Sequence, residues 1–223
     1  MVIGLAADAA ACVLLLLLVG EVIPPVIVFG VLFAALAVGT ARVSRRWPQV
    51  AALVLGVLFI GGNMPFIVED LAHPDSIAGF APTWLLILAT LFVIVSAVML
   101  LRRSESRARG LVVAFVAAAV VGVAGSALAT AGVSNDVRQP GDVVIAAKDV
   151  EYPAEVRVPA DTAILVENHD IFRHTFVVDG EDVKHQLPAS TDRRVELTLQ
   201  RGTYTFRCDV PGHEDMKGTL IIE

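Results

Sequence analysis

The chain has only two cysteines, Cys12 and Cys208, and they lie in different regions. No disulfide framework can be built from them, and Cys208 is the single thiol of the polar C-terminal part, free for other chemistry. Histidine is also scarce: none of the five falls inside an apolar run, which removes the paired axial histidines that a membrane haem protein needs. Within the predicted spans and the break between the first two, the only acids are Asp8 and Glu21, and both can lie near a membrane interface. An ion pathway would place ionisable groups deeper, so these runs read first as an anchor or bundle and second as a quinone- or ion-handling module.

What the chain does have is hydrophobicity. With 223 residues, 56% of them hydrophobic, and a mean hydropathy of +0.71, it is too apolar for an ordinary soluble domain. The apolar residues concentrate before about Ala131. Spans of ~20 residues are predicted at Val2 to Gly20, Val22 to Ala41, Gln49 to Val68, Thr83 to Leu101 and Gly110 to Ala131. The first two form a helical hairpin interrupted at Glu21 to Pro25, and Pro65 lies near the end of the third. Basic residues at Arg42, Arg45 and Arg46 and from Arg102 to Arg109 flank an acidic loop around Asp70. The bias of basic loops toward the cytoplasm therefore places that acidic loop, and everything after Val133, on the extracytoplasmic side of the cell membrane.

After a turn-rich linker at 133–141, the pattern changes. Short alternating runs follow at Val143 to Ala147, Glu155 to Val158, Ala163 to Glu167, Phe172 to Val178, Val183 to Leu187, Arg194 to Leu199, Thr203 to Cys208 and Thr219 to Ile222, separated by turn signals. Many short strands so spaced predict a β-sandwich. The organisation is thus an all-α transmembrane bundle over 1–132 and an all-β domain over 142–223. From Gly141 onward sixteen acids face nine bases. This balance disfavours nucleic acid and suits a basic redox or delivery partner, although solubility alone also accounts for it.

The chemistry lies near the C-terminus. Tyr204, Phe206 and Cys208 alternate, so the thiol leaves a strand on its buried face. Pro211-Gly212 makes a tight turn, and the chain returns through Gly218 to Ile222 with Leu220 and Ile222 on one face. The connection carries Cys208, His213 and Met216. Upstream, alternation puts His174 on the core face with Phe172, Phe176 and Val178, where an unpaired imidazole is costly. Taken singly, a buried Cys or Met is ordinary core filler. Two histidines, one cysteine and a distant methionine are together the soft, near-trigonal set that suits blue copper; zinc would not need the methionine. His169 and His185 lack such context.

Cys-x4-His-x2-Met followed by Lys-Gly-Thr-Leu resembles the ligand loop of the cupredoxins, the plastocyanin and azurin family, with His174 in the place of their upstream ligand. The Pro-Gly-His and Met-Lys-Gly-Thr-Leu pieces are nearest the azurin pattern; the spacing from His213 to Met216 is one residue shorter. The resemblance covers roughly the last third of the chain and implies a Greek-key sandwich holding one copper, cycling between Cu(I) and Cu(II), at one end. It further implies that Cys208, His174 and His213 are equatorial ligands, that Met216 is axial, that His213 passes the electron, and that Asn168 and Thr175 tie the ligand loops together. The expected role is electron transfer rather than enzymatic turnover. Copper sequestration or delivery would use the same ligands, and a metal-free interaction domain would use none. No His-x-His pair is present for a trinuclear cluster, nor a second Cys near Cys208 for a binuclear centre.

Overall fold

The computed structural model describes residues 1–19, 24–43, 45–102 and 108–223. The break expected at Glu21, and the arginines at 103, 107 and 109 as a cluster, fall wholly or partly outside these residues. Contacts divide the chain into two compact units, 1–71 with 80–125 and 72–79 with 126–223.

The first unit is helical. Its elements are α1 (Val2–Val19), α2 (Pro24–Arg42), α3 (Trp47–Gly62), α4 (Met64–Ala72), α5 (Ile77–Leu101) and α6 (Ala108–Ala131), the last two being shared with the second unit at one end. Three stretches are long and apolar enough to cross a membrane: Pro24–Arg42, Ile77–Leu101 and Arg109–Ala131. The pair α3 and α4, bent by 66°, makes a fourth if it is one broken span. Among the described residues this gives three spans, or four with the bent pair, by length and composition, and Val2–Leu17 is a shorter apolar helix. The third expected span is not one helix. Pro65 has no backbone N–H to donate, so helix geometry is re-initiated just before it. Asn63 (φ −110°) fills the break, its side-chain amide donating to the Phe59 carbonyl at 2.7 Å.

The helices pack through Leu5, Cys12, Phe33, Ala52, Phe59 and Val93, with Phe33 and Phe59 edge to face at 5.5 Å. Outside this seam, Leu17, Val31, Leu58, Val121 and Leu128 are exposed. An exposed apolar surface of this kind suits a bilayer rather than water. Asp8 is completely buried among these helices.

The second unit is built on β1 (Val143–Ala147), β2 (Glu155–Val158), β3 (Ile164–Asn168), β4 (His174–Val178), β5 (Val183–Leu187), β6 (Asp192–Val195), β7 (Gly202–Arg207) and β8 (Lys217–Ile222). A three-stranded sheet runs β1-β3-β6 and a five-stranded sheet β2-β8-β7-β4-β5. Ile145 and Val166 of the first sheet and Phe176, Phe206 and Leu220 of the second bury one shared core, which makes a sandwich. All eight expected strands form. The sixth is shifted: β6 pairs with β3 over Asp192–Val195, and 196–200 lies outside any strand although Leu197 is buried. Burial of alternate side chains thus continues past the point where ladder bonding stops. Gly218 of β8 is required by close packing, since a Cβ there would lie 2.3 Å from the Pro153 carbonyl oxygen and 2.6 Å from the Phe206 ring.

Candidate metal centre

β4 and β7 are antiparallel, with Val177 opposite Arg207 and Val178 opposite Phe206. The first residue of β4, His174, therefore lies at the end of the sheet where β7 gives way to Cys208. Tyr204 is half-buried while Phe206 and Cys208 are buried, so the alternation carries the thiol inward. The loop then turns twice. His213 donates its N–H to the Val210 carbonyl at 3.0 Å around Pro211 and Gly212, whose φ of +90° gives the form of a type II turn. The Met216 N–H donates to the His213 carbonyl at 3.0 Å, and the Cys208 N–H donates to the Met216 carbonyl at 2.9 Å, closing the loop at its base.

These constraints bring three donor atoms together. His174 Nδ1 and His213 Nδ1 are 3.1 Å apart, while Cys208 Sγ is 3.6 Å from His213 Nδ1 and 4.0 Å from His174 Nδ1. A point equidistant from all three corners of this triangle lies about 2.1 Å from each, within the range of roughly 2.0–2.3 Å for bonds from nitrogen and sulfur to a divalent first-row ion. His174 and Cys208 are buried, at 0% and 2% exposure, and His213 is half-buried. Met216 is buried in the same apolar cluster as Cys208 and reaches the loop through its backbone bonds. Thr175 donates its N–H to Cys208 Sγ at 3.4 Å.

The expected tying residues are in place with distinct jobs. The Asn168 amide donates to the carbonyls of Phe172, Leu187 and Pro188 at 2.9–3.0 Å, which fixes the approach to His174. The Thr175 hydroxyl accepts the Asp209 N–H at 2.8 Å and sits 2.8 Å from its carboxylate, joining β4 to the loop. His169 and His185 are exposed and are not part of the cluster. Sequence reasoning missed Asp170. Its Oδ2 is 2.8 Å from His174 Nε2 and also accepts the Val150 N–H at 2.9 Å, while Oδ1 accepts the Asp149 N–H at 2.8 Å. A carboxylate four residues before the histidine was the available signal, but in a loop that spacing does not fix a contact.

Asp170 decides the His174 tautomer. A carboxylate accepts, so Nε2 carries the proton and Nδ1 keeps its lone pair facing Cys208 and His213. Burial holds His174 below the ordinary histidine range despite the Asp170 bond. Burial and then the charge of His174 bring His213 down to about 4. Burial would raise Asp170, but the Val150, His174 and Asp149 bonds outweigh it and hold the carboxyl below its usual range. Both imidazoles are therefore neutral at pH 7 and can donate lone pairs.

Among solved structures, the chain is similar in fold to a copper-containing nitrite reductase from Thermus scotoductus SA-01 (20% identity, 41% of this chain and 24% of that one, TM-score 0.32). It is likewise similar to a purple cupredoxin from Nitrosopumilus maritimus (15% identity, 37% and 100%, TM-score 0.33) and to amicyanin from Paracoccus versutus (19% identity, 40% and 86%, TM-score 0.33). This chain thus spans about a quarter of the nitrite reductase. No curated protein matches it. Residues 113–222 match the family model of the cupredoxin-like domain, and a His, Cys, His cluster in that setting fits one copper. The C-terminal part of the chain is a cupredoxin-like domain.

Proposed function

We propose that the chain is a membrane-anchored blue copper protein that passes single electrons on the extracytoplasmic side and has no catalytic turnover of its own. In this reading 1–132 is the membrane domain, 133–141 the linker and 142–223 the copper domain. Cys208, His174 and His213 hold the metal equatorially and Met216 supplies a weak axial thioether. The triangle of donor atoms carries the proposal: one thiol and two neutral imidazoles stand around an ion-sized gap without needing to move.

Bound copper would supply a one-electron couple. The chain's part is to keep the geometry unchanged between oxidation states, and the network does this from three sides. Asp170 holds the ring of His174, the Thr175 amide bonds the sulfur, and the two loop turns set His213. His213 is the least buried of the three and offers the route out to a redox partner. The acidic balance of 141–223 would favour a basic one. The hydrogen bond from Ser126 Oγ to the Pro74 carbonyl at 2.7 Å holds the loop after α4 beside the last turns of α6, which supports placing that loop and the linker on one side.

The test is the visible spectrum of the full chain with Cu(II). An intense band is expected from sulfur-to-copper charge transfer, lost in Cys208→Ser even if copper stays bound through the histidines. A coloured Cys208→Ser protein would refute the ligand set. Reversible reduction without loss of copper is expected for electron transfer, and rapid release on reduction for copper delivery.

A further inference from the structure

Asp8 of α1 and Thr90 of α5 meet inside the helical unit, both completely buried. Gly4 lets the two helices come this close: a Cβ there would lie 2.8 Å from Val93 Cγ2, and Asp8 follows one turn along. Thr90 Oγ1 is 3.1 Å from Asp8 Oδ1 and 2.9 Å from the Leu86 carbonyl oxygen. The other carboxyl oxygen, Oδ2, is buried with no hydrogen-bond partner.

Counting protons decides the state of this pair. A hydroxyl has one proton to donate and two lone pairs to accept with. Thr90 has two acceptors within reach, Asp8 Oδ1 and the Leu86 carbonyl, and one proton to give. Were Asp8 a carboxylate, the Thr90 hydroxyl would be its single donor and Oδ2 would be a buried anionic atom with none. An unpaired charge of this kind is strongly disfavoured in an apolar interior. Were Asp8 a carboxylic acid, its O–H would donate to Thr90, Thr90 would donate to Leu86, and both short contacts would be satisfied. No cationic side chain among the described residues pairs with Asp8. Its one titratable neighbour there is Cys12, the next turn of α1, also buried and with no charge to offer a carboxylate.

We propose that Asp8 and Thr90 form a proton-binding site within the helical unit, occupied at neutral pH by an exchangeable proton on Asp8 that is donated to Thr90. An anchor needs no such group. Asp8 is positioned to hold a proton among α1, α3 and α5, where Gly56 of α3 also approaches Thr90, a Cβ there lying 3.3 Å from Thr90 Cγ2.

Infrared spectroscopy of the full chain in phospholipid vesicles tests this. At pH 7 a protonated-carboxyl C=O band is expected that disappears in Asp8→Asn and moves down in frequency in D2O. In Thr90→Val, which keeps the acid but removes its acceptor, the band should persist and move up. Thr90→Val keeps the test decisive if Asp8→Asn fails to fold. No such band in the wild-type protein, a band retained in Asp8→Asn, or a band unmoved by Thr90→Val would overturn the assignment. A band unaffected by prolonged D2O would show a locked helix pin in place of an exchanging site and would overturn it equally.

Discussion

Asp170 Oδ2 and His174 Nε2 lie 2.8 Å apart, and the same carboxylate receives the N–H groups of Asp149 and Val150. One side chain thus sets the tautomer of a candidate ligand and fastens a neighbouring turn.

Replacing that charge separates the two jobs. Asp170→Asn keeps an oxygen for His174 Nε2 and the Val150 N–H, takes the acceptor from the Asp149 N–H, and removes a unit of negative charge about 7 Å from the ion-sized gap. At an effective dielectric of 20 this is worth roughly 2 kcal/mol, or up to about 100 mV in a one-electron couple. The reduction potential of the copper-loaded chain is expected to rise by that order while the blue band persists. Voltammetry showing no change would mean that Asp170 serves the fold alone.

The histidines give the metal-free protein a pH slope. His213 stands at about 4 in the folded chain against an ordinary value of 6.5, so between these values the unfolded state binds more protons. Stability therefore falls as pH drops from about 6.5 to about 4 and, for this group, falls no further below. His174, lowered as well, acts in the same direction. Discounted for solvent at a half-buried ring, the His213 part is about 2 kcal/mol. Denaturation of chelator-treated protein across pH 4 to 7 measures it, and His213→Asn should flatten the slope.

Met216 divides potential from stability. As an axial thioether it tunes the preferred oxidation state while Cys208 gives the colour. Met216→Leu should keep the band and raise the potential, and Met216→Gln, offering a harder oxygen, should lower it. As packing alone, the Leu variant would cost no more than ~1.5 kcal/mol with all three potentials equal.

Sidedness has its own test. A protease added to intact spheroplasts is expected to release a fragment beginning near Ser134 while the stretch from Arg102 to Arg109 stays protected. Protection of the β domain would reverse the orientation.

The sandwich and the three-donor cluster were legible because each rests on a local rule. Alternation placed Cys208 and His174 on buried faces, and Pro211-Gly212 announced the turn that returns His213. What failed to show depends on partners distant in sequence. The burial of Asp8 comes from α5 passing beside Gly4, which brings Thr90 against it from 82 positions away. Asp170 is recognisable only once β4 carries His174 back across it. The third span broke at Asn63 because one proline outweighed an otherwise continuous apolar run.

The turn that Asp170 fastens bears on how the domain comes together in time. Asp149 and Val150 have φ of +55° and +59°, a left-handed pair that a hairpin normally fills with Asn and Gly, and a β-branched residue is among the least willing to adopt it. The link between Lys148 and Glu151 therefore has little local drive to form in the nascent chain. It must wait until a carboxylate some twenty positions downstream arrives to accept both amides. A hairpin held in this way is expected to close only once Asp170 arrives, and the same carboxylate then orients the His174 ring.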